Sequence, residues 1–106
     1  KLRPPVRSES MGAVEWKLIR SKEIHISVID DLILVQAQDH KVEKVFLVGQ
    51  DMVWEKDFTN THQVSEVFAK MIYDVAIPVD GLPAGKYQIN IQYEGEYFTT
   101  NRWFIC

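Results

Sequence analysis

Cysteine is nearly missing from this chain: one residue, Cys106, stands at the last position. A single thiol closes no intrachain disulfide and builds no cysteine-based metal centre. It either stays unpaired or pairs with another chain. Long apolar runs are missing too, since none approaches the roughly 18 residues of a membrane helix. No signal-peptide pattern opens the chain. The sequence starts at Lys1 rather than methionine, which fits a processed or trimmed form and leaves the start silent about export. Basic clusters are also lacking. The nearest is Lys1, Arg3 and Arg7, and the net charge is −3 with a pI near 5.5. Nucleic-acid binders carry a dense basic face, so nucleic acid is set aside as a partner. No internal repeat or low-complexity segment is present.

What remains is an ordinary globular composition, 46% hydrophobic and 25% charged over 106 residues. That length supports one domain with one core. Residues 1–13, with Pro4-Pro5, Ser8, Ser10 and Gly12, read as a flexible N-terminal tail. Residues 14–106 read as a single domain.

The domain alternates mostly with period two, the mark of half-buried strands. Ile24, Ile26 and Val28 alternate with His25 and Ser27. Asp30-Asp31 reads as a turn, and residues 32–37 form an apolar run suited to a central strand. Residues 42–48 and the stretch through Met52, Trp54 and Phe58 read as a hairpin around Gly49-Gln50-Asp51. Val75, Ile77 and Val79 form a strand that lies at an edge or ends at Pro78, which donates no ladder bond. Tyr87, Ile89, Ile91 and Tyr93 alternate most cleanly. The last strand, 97–105, has two possible faces. Pairing Tyr93 with Glu96 turns Phe98, Thr100 and Phe104 inward, and pairing it with Tyr97 turns Thr99, Trp103 and Ile105 inward.

Residues 61–72 break the alternation. Val64, Val67, Phe68, Met71 and Ile72 fall at helical spacing, with Asn60 or Thr61 available as a cap, which predicts a short helix or turn-rich crossover. Together these signals predict an all-β, Ig-like or fibronectin type III-like Greek-key β-sandwich of about seven strands, with that possible short helix.

Leu82-Pro83-Ala84-Gly85-Lys86-Tyr87 predicts a tyrosine corner. Leu82 plugs the core, Gly85 takes a backbone conformation other residues resist, and the Tyr87 hydroxyl bonds back to upstream backbone. On these residues, together with the strand at 23–29, the Lys44-Val45-Phe46-Leu47-Val48 strand, Ala76-Ile77-Pro78-Val79 and the closing Trp103-Phe104-Ile105, the chain resembles a family of small secreted proteins of unknown function from Gram-negative gut bacteria. The resemblance implies an Ig-like or fibronectin type III-like sandwich and export to the periplasm, cell surface or medium. The C-terminal third also resembles the sorting domains of secreted cargo, although Asn101-Arg102-Trp103 stands where those carry a lysine-rich strand.

No catalytic, cofactor-binding or metal-ligating site emerges. His25, His40 and His62 are far apart in sequence, with no recognised metal-ligand spacing between them. Ser27 and Ser65 lack a nucleophile motif. Glu94 and Glu96 flank a turn glycine and point to solvent rather than forming a glycosidase pair. Asp30, Asp31, Asp39 and Asp51 lack calcium-loop spacing. The expectation is therefore a non-enzymatic module without cofactor. Trp16, Trp54, Trp103, Tyr93, Tyr97 and Phe98 exceed a minimal core, and most of them are expected inside it. Any left outside suit a protein partner at the cell envelope or, alternatively, a carbohydrate. A sorting or spacer role in a larger secreted protein is the third reading.

Overall fold

The computed structural model describes residues 4–8, 14–20, 24–58 and 63–106. These hold ten strands and no helix: β1 (Val6–Ser8), β2 (Lys17–Leu18), β3 (Ile24–Ile29), β4 (Leu32–Gln38), β5 (Val42–Val48), β6 (Val53–Asp57), β7 (Gln63–Val67), β8 (Lys70–Pro78), β9 (Lys86–Tyr93) and β10 (Glu96–Ile105). They form two packed sheets, one ordered β1-β6-β5-β9-β10-β2 and the other β3-β4-β8-β7. The fold is all-β and sandwich-like.

Alternation sets which side chains meet between the sheets. Ile26, Ile33, Val35, Ala37, Val75 and Ile77 come from the four-stranded sheet. Val42, Val45, Leu47, Tyr87, Ile89, Ile91, Tyr93 and Phe104 come from the six-stranded one. Each fully buried aliphatic side chain stabilises the fold by about 1.5–3 kcal/mol. Leu82 closes one end of this core, as its position before the corner predicts. Pro78 is the last residue of β8, where its missing N–H does least harm.

The last strand resolves to the first alternative. Glu96 pairs with Tyr93, and Phe98 pairs with Ile91. The register then slips between Thr99 and Arg102, with Asn101 in the left-handed region at φ 57°. Two residues are absorbed by this bulge, so parity survives and Phe104 still faces inward opposite Tyr87. The bulge also aims Arg102 across the edge of the sandwich, where its Nη1 donates to the Ile26 carbonyl at 3.2 Å.

Two expectations change. Val6–Ser8, inside the stretch read as a tail, forms β1 and pairs with β6. The helix expected over 61–72 does not form. Its capping residues Asn60 and Thr61 lie outside the described residues, and the rest is the β7–β8 hairpin, with Val67 opposite Lys70. The helical spacing has a second solution. In a hairpin with a two-residue loop, Val64 and Met71 share one face while Val67 and Ile72 share the other. Pairing β8 with β4 over seven rungs extends the sheet and outweighs a short helix that has little to pack against. With β1, β2 and β7 the strand count rises from about seven to ten.

Candidate functional site

The two most distinctive turns use an aromatic residue in opposite ways. At the corner, Tyr87 is buried and its hydroxyl donates to the Pro83 carbonyl at 2.6 Å. Its ring stacks on Phe104, with centroids 5.2 Å apart. Burial raises the phenol's pKa above its ordinary 10.0, with a smaller contribution from Cys106. Gly85 has φ 155°, in a region that side chains resist, and exchanges backbone hydrogen bonds with Cys106. Gly49 leaves room for the ring, since a Cβ there would stand 3.1 Å from Tyr87. The sulfur of Cys106 lies 3.6 Å from the Leu82 carbonyl, so the C-terminal residue is folded onto the corner.

The β7–β8 hairpin is the reverse case. Phe68 and Ala69 form its whole loop, both in the left-handed region at φ 51° and 63°. Two positive φ values in a two-residue loop define a type I′ turn, which favours Asn-Gly. Left-handed backbone costs a side-chain-bearing residue about 1–2 kcal/mol. Nothing local repays that cost, because the Phe68 side chain is 95% exposed. Val64, Val67 and Met71 beside it are exposed as well. Among the described residues, none between Phe58 and Val75 joins the buried core. The hairpin is nonetheless fixed close to its turn, on the β8 side. The Asp39 N–H donates to the Met71 carbonyl at 2.7 Å, and the Met71 N–H donates to Asp39 Oδ1 at 3.2 Å. A strained, uncovered aromatic tip therefore stands on an arm held close to the turn.

Most of the other aromatics are covered. Tyr93 is in the core, and Trp54 and Phe98 pack against it. Trp16 lies on the outer face of the six-stranded sheet, edge-on to Phe46 at 5.2 Å and to Tyr97 at 5.9 Å. On the same face, Asn90 is completely buried, and neither end of its amide has a hydrogen-bond partner among the described residues. Trp103 is half exposed, with Lys86 Nζ 4.7 Å from its ring centre.

The polar candidates land apart or face solvent. His40 Nε2 lies 3.1 Å from Glu94, and Glu96 forms an exposed ion pair with Lys17 at 2.8 Å, so the two glutamates serve different partners. The Lys17 pKa is raised by its hydrogen bond to Glu96. Asp30 and Asp39 take left-handed turn conformations. His62 lies outside the described residues. Ser27 points outward from β3. The walls of one groove on the four-stranded sheet include His25, Ser65 and Asp74. There Gln36 stands between His25 and Asp74 in the pairing, so two strand spacings, roughly 10 Å, separate their backbones. A Ser-His-Asp relay needs hydrogen-bond reach between its members, and this spacing does not give it. No group of three or more His, Cys, Asp and Glu side chains is placed to hold a metal ion among the described residues. No helix there is long and apolar enough to cross a membrane.

No protein-family model, curated protein or solved structure matches the chain.

Proposed function

We propose that this chain is an exported, non-enzymatic Ig-like or fibronectin type III-like module that binds a protein partner at the cell envelope through the β7–β8 hairpin. The observation that carries the reading is Phe68, exposed on a strained turn that is held by Asp39 at Met71. Strand order supports the fold type. In immunoglobulin lettering β3-β4-β8-β7 reads A-B-E-D and β6-β5-β9-β10 reads C′-C-F-G, with β1 and β2 as additions. The Tyr87–Pro83 hydrogen bond supports it too. The compartment rests on the resemblance to small secreted proteins. The partner would offer an apolar pocket for an aromatic ring, with Val64, Val67 and Met71 as the rim of the contact.

The test is comparative capture from envelope extract. Wild-type protein and Phe68→Ser are immobilised side by side, and a protein retained only by the wild type is then titrated directly by calorimetry. Capture that depends on Phe68 supports the reading. Equal retention by both, or none by either, overturns it.

A further inference from the structure

The outer face of the four-stranded sheet holds a groove of about 320 Å3. That lies at the small end of ligand sites, which run roughly 300–1,000 Å3. Strand pairing explains what lines it. His25, Gln36 and Asp74 form one rung across β3, β4 and β8, and Gln38, Ile72 and Ser65 form the next across β4, β8 and β7. All six line the groove. The two rungs together span four strands, roughly 14 Å across the strands and roughly 7 Å along them.

Asp74 is the anomaly in this lining. Its Oδ1 is buried and has no hydrogen-bond partner. A buried carboxylate oxygen without a donor costs free energy that a bound donor recovers. The other polar groups define that donor. The amides of Gln36 and Gln38 each give and accept hydrogen bonds, as does the Ser65 hydroxyl, and the His25 imidazole adds a further polar edge. No lysine or arginine lines the groove, so an anionic ligand would meet Asp74 with no cation to offset it. A cation would answer Asp74 but would set its donors against the amide donors. An apolar ligand would leave Asp74 unanswered. Hydroxyl groups on adjacent carbons both donate and accept, and Ile72 offers an apolar spot for their carbon skeleton.

We infer that this groove binds a neutral polyhydroxylated ligand, a saccharide unit, with Asp74 accepting from its hydroxyls. Phe68 does not line the groove, although its neighbour Val67 does, and the inference does not depend on the hairpin reading. No aromatic lines it, so binding is weak and directed by hydrogen bonds.

The test is a titration followed by NMR. Maltose, cellobiose and lactose are added separately to labelled protein, and the side-chain amide resonances of Gln36 and Gln38 are followed. At least one sugar should give saturable shifts centred on these amides. Asp74→Asn keeps the side-chain shape but replaces the acceptor-only carboxylate, and should weaken that binding about tenfold. The backbone spectrum of the variant verifies its fold. Argininamide and inorganic phosphate are the contrasting probes. Shifts with argininamide alone, no saturable shift with any sugar, or equal sugar binding by Asp74→Asn would each overturn the proposal. Phe68→Ser should bind sugar as the wild type does, so failure here and failure of the protein-partner reading are read separately.

Discussion

The corner at residues 82–87 and the hairpin tip at 68–69 both reverse the chain, and both contain one aromatic residue. At the corner every level agrees. Gly85 relieves the backbone, Gly49 makes space, the Tyr87 ring is buried, and its hydroxyl has a partner. At the tip every level disagrees. A phenylalanine and an alanine occupy positions that favour asparagine and glycine, and the ring gains no burial. Natural sequences break local rules mainly where function requires it. The contrast therefore separates a turn built for stability from a turn whose backbone cost nothing local repays.

The largest test of that contrast pairs two truncations. Tyr87→Ala should lose about 3–5 kcal/mol by urea denaturation, as expected for emptying a buried aromatic site. Phe68→Ala should stay within about 0.5 kcal/mol of wild type. Similar losses in the two variants would erase the distinction.

The next test repairs the tip. Phe68→Asn combined with Ala69→Gly should raise stability by about 1–2 kcal/mol, because the type I′ turn then carries residues that accept left-handed backbone. The same variant should lose partner capture. A stabilised variant that still captures would move the binding surface away from Phe68.

A smaller effect isolates the corner hydrogen bond. Tyr87→Phe should cost about 1 kcal/mol at neutral pH with the fold intact. The phenol also brings a pH dependence. Its folded pKa is raised above 10.0, so the folded state holds the proton more tightly than the unfolded chain. The resulting stabilisation is complete below pH 10 and is lost as pH rises from there through the folded pKa. Denaturation midpoints from pH 8 to 11 should fall more steeply for the wild type than for Tyr87→Phe. Parallel curves would remove Tyr87 as the titrating group.

Legibility in the sequence followed how local each feature was. The alternation through Tyr87, Ile89, Ile91 and Tyr93 identified a strand and its inward face, because period two has only one buried side to choose. The corner was readable because its glycine, its tyrosine and the carbonyl it contacts lie within five residues of one another. The groove was hidden. Gln36, Asp74 and Ser65 are ordinary outward residues until strand pairing places them on adjacent rungs. Asn90 was hidden as well, since alternation gives it an outward position in β9, yet it is completely buried.

The sequence by itself therefore determined a mainly β chain, the inward faces of its main strands other than the last, and the corner that ties β9 to its upstream turn. Only the tertiary structure decided that residues 63–78 pair as a hairpin, that β1 and β2 extend the six-stranded sheet, and that Phe68 stands uncovered. The physical reason is the range of the interactions. Side-chain alternation and turn preferences act over a few residues, whereas the choice between a short helix and a hairpin depends on whether a distant strand, here β4, supplies the open edge to pair with.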